Sequence, residues 1–215
     1  MPNLHSHAFQ RGMAGLAEVR GPRHDSFWSW REVMYRFVEK LDPTSLQAVA
    51  SLAYMEMLET GFTRVGEFHY LHHAPDGRTY DDPAELSQAI FAAAGETGIA
   101  ITHLPVFYAH GGFGGAEPNV AQRRFVTDLD GYARLIDAIR SASARLPDAI
   151  VGVAPHSLRA VTEAEFRALD GFASGVPVHI HIAEQTGEVA ESIAWSGQRP
   201  VEWLMAHAQV DARWC

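Results

Sequence analysis

A chain of 215 residues, 47% hydrophobic and 20% charged, holds enough apolar material for one large domain or two small ones and is not a disordered segment. Its net charge of −9 and the absence of a Lys/Arg-rich run argue against nucleic acid or an anionic membrane surface as partner. With one cysteine, Cys215, there is no internal disulfide framework, and without a signal-peptide pattern or a spanning apolar stretch the expected location is the cytoplasm.

The first predicted element is a short strand, "MPNLHSH". Side chains two apart on a strand share a face, so His5 and His7 would stand side by side as a bidentate metal grip. A helix follows in "LDPTSLQAVASLAYMEMLETG", with Asp42 as cap, Pro43 at the first helical position, an apolar stripe of Leu46, Val49, Ala53 and Met57, and Gly61 as the stop. The run "FTRVGEFHY" reads as the second strand, and "DDPAELSQAIFAAAGETG" repeats the helix grammar with Asp82, Pro83 and Gly98. "IAITHLPVFYAH" is the third strand. The Gly-rich residues 110–118 after it lack phosphate-loop spacing and suit a mobile lid. A helix from Asp128 towards Arg145 buries Leu129, Tyr132, Leu135, Ile136 and Ile139; "AIVGVAPH" is the fourth strand, Thr162 and Glu165 form a capping box, and "VPVHIHIAE" is the fifth strand.

Strand alternating with helix implies a parallel sheet, and the polar residues decide its form. Chemically capable side chains fall at every strand's carboxyl end: His5 and His7; Glu67, His69 and Tyr70; Tyr108 and His110; His156; His181 and Glu184. A (β/α)8 barrel gathers all such ends at one face, whereas a doubly wound sheet uses mainly one switch point. The expected fold is therefore α/β, a partial TIM-type barrel of strands one to five with their helices. In the fifth strand His181 lies nearer the catalytic end than His179, which is expected to be an interior histidine. His5, His7 and His181 would hold Zn²⁺, and Glu184, three residues further on, would be the general acid/base. His24, His72 and His73 are taken as loop histidines, and Trp28, Trp30, Tyr35 and Phe37 as packing or interface residues.

These residues, with the segments "PNLHSHAFQRGMAGLAE", "DSFWSWREVMYRF", "EFHYLHH", "HSLRAV" and "VHIHIAEQ", resemble the amidohydrolase superfamily in its one-metal deaminase branch, and within it the formimidoylglutamate deiminases. The resemblance implies hydrolysis of N-formimidoyl-L-glutamate, a small dicarboxylate amidine, to N-formyl-L-glutamate and ammonia in histidine degradation. It implies substrate contacts from Gln10, Tyr70 and His156, a carboxylate paired with Arg159, and a second carboxylate partner in Arg31, which is expected to reach a neighbouring subunit of a homodimer. It also implies a further active-site His on strand six, an Asp on strand eight and a flanking small β domain. None is in these residues, so residues 1–215 read as one N-terminal part of a barrel truncated before strand six, expected to be marginally stable and without turnover when isolated. Two other readings fit the same histidines: an amidohydrolase acting on a nucleobase or triazine, and a non-catalytic metal-binding barrel remnant.

Overall fold

The computed structural model describes residues 1–16 and 27–215. β1 (Pro2–Ser6) is followed by a 3-10 turn over Ala8–Met13, then by α1 (Phe27–Val38), α2 (Pro43–Glu59), β2 (Arg64–His69), α3 (Glu85–Thr97), β3 (Ala100–Phe107), α4 (Leu129–Ser143), β4 (Ile150–Val151), β5 (Ala154–Pro155), α5 (Glu163–Leu169), α6 (Thr186–Ser196) and α7 (Pro200–His207). All strand pairings are parallel, in the order β1-β2-β3-β4, with β5 also on β3. No helix among the described residues is long and apolar enough to cross a membrane.

The helix ends follow from local chemistry. Asp42 accepts the backbone N–H of Ser45 at 2.7 Å and Asp128 that of Gly131 at 2.7 Å, each satisfying a donor the helix leaves open. Thr162 and Glu165 form the reciprocal box that opens α5. Two expectations shift. α3 begins at Glu85, not at Pro83, although Asp82 still accepts the N–H of Ala84 at 2.8 Å. The buried stripe of α2 is Leu46, Ala50, Ala53 and Tyr54, rotated from the expected one; Val49 and Met57 are only half-buried.

The fourth expected strand is interrupted into two, β4 and β5, which pair with β3 in one register, and between them Val153 bridges in parallel to Val178 on the other side. Gly152 permits the close approach of the next segment: a Cβ there would lie 2.6 Å from the carbonyl oxygen of Pro177. The fifth expected strand is an extended segment held by backbone hydrogen bonds, Val153 N–H to Pro177 and His179 N–H to Val153, and Val178 bridges onward to Trp214. Residues 213–215 therefore occupy the sixth position of the sheet.

Two bonds in a row bring the strand ends into line: His156 N–H donates to Phe107 at 3.0 Å and His181 N–H to His156 at 3.0 Å. On the solvent-distant side Arg124, 1% exposed, donates to the carbonyls of His73 at 2.8 Å, Leu41 at 2.9 Å and Val38. That cation at the C-terminal end of α1 fixes the helix over the strand ends.

The sheet's outer side buries several titratable groups. His69, His72 and His103 are at most 3% exposed; His103 Nε2 meets Ser87 Oγ of α3 at 3.0 Å, and His72 Nε2 meets the Val106 carbonyl at 2.8 Å. His72 and His73 lie in the loop after β2, as expected, and are held there; His73 Nε2 meets the Val126 carbonyl at 2.8 Å. His24 and the side chain of Trp28 lie outside the described residues.

Burial holds His72 and His103 down to about 3 and His69 well below its ordinary value, while burial lifts Glu67 to about 7. Unfolding frees each imidazole to take a proton once the pH drops below about 6.5, so acid draws the equilibrium towards the unfolded chain. Glu67 acts oppositely, gaining its proton first in the folded state as the pH falls through 7. Three imidazoles against one carboxyl set the direction: urea midpoints are expected to fall steeply between pH 6.5 and 4, and midpoints flat over that window would contradict it.

Candidate active site

β1 supplies His5 and the residue after it in the alternation, His7, opens the 3-10 turn. Their Nε2 atoms lie 3.1 Å apart, and His181 Nε2 lies 3.1 Å from His5 Nε2. Among the described residues these three histidines are the only group of possible metal ligands to converge, with one nitrogen of each within 4.8 Å of the others. His7 Nδ1 lies 2.8 Å from the Phe68 carbonyl, and only a ring N–H can bond there. His7 therefore presents its Nε2 lone pair to the centre, oriented from behind as a metal-ligating histidine is.

Burial, reinforced by the neighbouring imidazoles, takes His7 to about 3; burial foremost takes His181 to about 3 and lowers His5 as well. All three rings are thus neutral near pH 7 and able to ligate. The contacts cannot all be hydrogen bonds. His5 Nε2 has room for one proton or one lone pair, so it can bond to His7 or to His181 but not to both. One nitrogen pair is left facing without a proton between them, or a proton facing no acceptor, and a cation between the rings removes that conflict. Zinc–nitrogen bonds of 2.0–2.1 Å in a tetrahedron place nitrogens about 3.3 Å apart, close to the spacing found here. The donor set fits a divalent ion.

One cavity is lined by His7 and His181 together with Gln10, Tyr70, His156, Arg159, Arg31 and Glu184. Gln10 Nε2 donates to Tyr70 Oη at 3.3 Å, and His156 Nδ1 meets Ser157 Oγ at 3.1 Å. α1 brings Trp30, Arg31, Met34 and Tyr35 to this cavity from one helix face; Arg31 Nε donates to Tyr35 Oη at 2.7 Å. Arg31 thus faces the cavity of its own chain, and Trp30 and Tyr35, expected to pack, line it. Arg159 Nη2 stands 3.7 Å from Glu184 Oε2, and its Nε is buried with no acceptor.

Other strand-end residues go elsewhere. Glu67 points to the helix side, where Oε1 accepts Ala8 N–H at 2.7 Å, and His69 packs beside His103. His110 Nε2 meets Glu165 Oε2 at 2.9 Å and so braces the start of α5. His179 is buried, as expected, and stays out of the triad. The Gly-rich residues 110–118 form a small hairpin bridged at Gly112 and Ala116, with Phe113 packed 5.4 Å from Trp195 of α6.

The sequence matches the amidohydrolase family over residues 2–212. This chain belongs to the amidohydrolase family. It is 52% identical over 218 residues to the formimidoylglutamate deiminase of Pseudomonas aeruginosa, a match covering 100% of this chain and 48% of that protein. The crystal structure of an amidohydrolase from Brucella melitensis superposes with a TM-score of 0.97 at 58% identity, covering 100% of this chain and 48% of that one. An adenosine deaminase from Xanthomonas campestris with bound zinc, 22% identical, shares the fold with a TM-score of 0.71 over 100% of this chain and 43% of its own. The chain spans about half the length of the relatives it matches.

In this amidohydrolase the aim of Glu184 depends on a residue the sequence did not single out. Ala183, directly before it, has φ 55°, and among the described residues no other non-glycine has positive φ. An L-residue there is strained, so something must hold it. Glu188, 4% exposed in the first turn of α6, does so: its carboxylate accepts Ala183 N–H at 3.2 Å and Glu184 N–H at 2.9 Å. The kink turns Glu184 into the cavity, where burial raises its pKa and Arg159 partly opposes that. Glu188→Ala and Ala183→Val are each expected to lower the unfolding free energy by about 1–3 kcal/mol, through lost acceptors in one case and a β-branched residue at positive φ in the other. Ala183→Gly should be tolerated. Urea unfolding of the full-length protein compares them, and a destabilising glycine would refute the strain.

Proposed function

We propose that this chain is the N-terminal part of a metal-dependent deiminase barrel that converts N-formimidoyl-L-glutamate and water to N-formyl-L-glutamate and ammonia. The observation that carries this reading is the meeting, in one cavity, of a hydrolytic set with two cations: His7, His181 and Glu184 beside Arg159 and Arg31. In a chain of net charge −9, two guanidinium groups facing a site call for an anionic substrate. A neutral nucleobase or triazine has no carboxylate for them. The name of the P. aeruginosa relative points the same way.

When bound by His5, His7 and His181, a divalent ion, zinc in this proposal, supplies the Lewis acidity that activates water near neutral pH. Glu184 carries one proton from the attacking water to the formimidoyl nitrogen and then, as the carbonyl forms and the C–N bond breaks, the remaining hydroxyl proton by the same route, so that the nitrogen leaves as ammonia. Its raised pKa brings the carboxyl closer to the pH at which both halves of that transfer are easy. Arg159 turns its unpartnered buried Nε, with a neighbouring N–H, to a substrate carboxylate in the two-pronged geometry that a guanidinium offers. That contact also draws Arg159 away from Glu184 and frees the carboxylate for the proton. Gln10, Tyr70 and His156 supply neutral hydrogen bonds around the formimidoyl group; burial foremost holds His156 far below its usual value, so its ring is uncharged and does not repel the amidine. In this proposal, later strands complete the barrel and its ligand set, and the enzyme works in the cytoplasm.

Steady-state ammonia release by the full-length protein tests the reading. Arg159→Met is expected to reduce kcat/KM for N-formimidoyl-L-glutamate by about 30- to 1000-fold, the effect of unpairing one buried charge, with metal content unchanged. Equal turnover by variant and wild type would overturn the substrate assignment.

A further inference from the structure

Tyr108 is the first residue after β3, 6% exposed, and lines the cavity with its ring 4.7 Å from that of His156. Its oxygen lies 2.5 Å from Gln122 Nε2. The other end of the same amide fixes the direction of that bond: Gln122 Oε1 accepts the backbone N–H of Asn119 at 2.8 Å. The NH₂ group therefore faces Tyr108, and an NH₂ group can only donate. Gln122 is fully buried, at 0% exposure, which holds the amide in that orientation.

Tyr108 Oη is thus the acceptor, and its own hydrogen must go elsewhere. Tyr108 lines the same cavity as Arg31 and Arg159, and both guanidinium charges act on its phenol. Burial foremost pushes the phenol up to about 12, so the hydroxyl keeps its proton at working pH. With Gln122 donating to its oxygen, the hydroxyl has its own proton to give, and a carboxylate oxygen can take it.

We infer that Tyr108 is a further substrate-binding and specificity-determining residue, whose hydroxyl donates to the substrate carboxylate held by Arg159 or Arg31, with Gln122 as the residue that orients it. The inference rests on the deiminase reading above. It adds a device by which the cavity distinguishes the two ends of its substrate: the carboxylate end meets the donors Arg31, Arg159 and Tyr108, and the formimidoyl end is left to Glu184, Gln10, Tyr70 and the histidines.

The test is calorimetric titration of N-formyl-L-glutamate into metal-loaded, full-length wild type and Tyr108→Phe, with metal content and Tm measured alongside. The expected result is a Kd raised about ten- to a hundredfold in the variant, the contribution of one hydrogen bond to a charged group, with metal content unchanged. A wild type that binds beside a variant that binds equally well overturns the role of Tyr108, whatever happens to Tm. A wild type that fails to bind N-formyl-L-glutamate points instead at the deiminase reading and takes this inference with it. Should the phenylalanine variant not fold, wild type labelled at the tyrosine ring carbon bonded to oxygen decides: the Tyr108 resonance is expected to shift when ligand is added, and an unmoved resonance overturns the proposal.

Discussion

Three imidazole lone pairs aimed at one small volume are the constraint around which this half-barrel is arranged. Left alone they conflict, since one ring nitrogen cannot serve two neighbours 3.1 Å away. The fold keeps them there by means that have nothing to do with the rings themselves: the pairing of β1 with β2, the Phe68 carbonyl behind His7, and the row of backbone hydrogen bonds that carries His181 alongside His156. Gly152, which leaves room for the Pro177 carbonyl, belongs to the same arrangement, because it sets how closely the segment bearing His181 approaches. A site that forces neutral donors together is preorganised for a cation, and its folding free energy is recovered when the cation arrives.

The electrostatics are graded outwards from that point. Nearest are rings kept neutral by burial, next comes one carboxylate whose pKa burial raises, and beyond it stand two guanidinium groups. In the proposed reading this order serves a substrate with a polar, reacting end and an anionic end. Glu184 sits at the boundary, 3.7 Å from Arg159, and its direction is set by a left-handed alanine and a buried carboxylate rather than by regular secondary structure. Backbone strain placed next to a reacting group and held by a buried polar partner is a common device of active sites. Here it costs a buried Glu188, and the two N–H groups it receives account for its burial.

Much of this was legible in the sequence because it depends on local chemistry. The caps at Asp42, Asp128 and Thr162 stand where the residues place them, and the His-x-His pair and the histidine of the fifth run do meet. The facing of β2 was not legible. A strand buried on both sides has no alternation of polar and apolar residues, and from Val65 to His69 every residue is buried, so the sequence cannot tell that Phe68 looks to the triad while Glu67 and His69 look to the helices. Glu188 was invisible because its role comes from the φ of Ala183, which no composition or spacing encodes. Trp30, Tyr35 and Phe125 reach the cavity from α1 and from the loop after β3, a convergence that depends on the buried Arg124 tying those segments together. The donor direction of Tyr108 was hidden for a similar reason, since it follows from where a glutamine fourteen residues away is anchored.

Every role proposed for this cavity depends on His5, His7 and His181 together holding a metal ion. The most direct measurement is elemental analysis of the full-length protein and its His181→Asn variant after zinc loading and exhaustive dialysis against metal-free buffer. The account predicts about one ion per chain in the wild type and little in the variant, as expected when one of three neutral imidazole ligands is lost. A wild type that emerges without metal, or a variant that keeps it, would contradict the account.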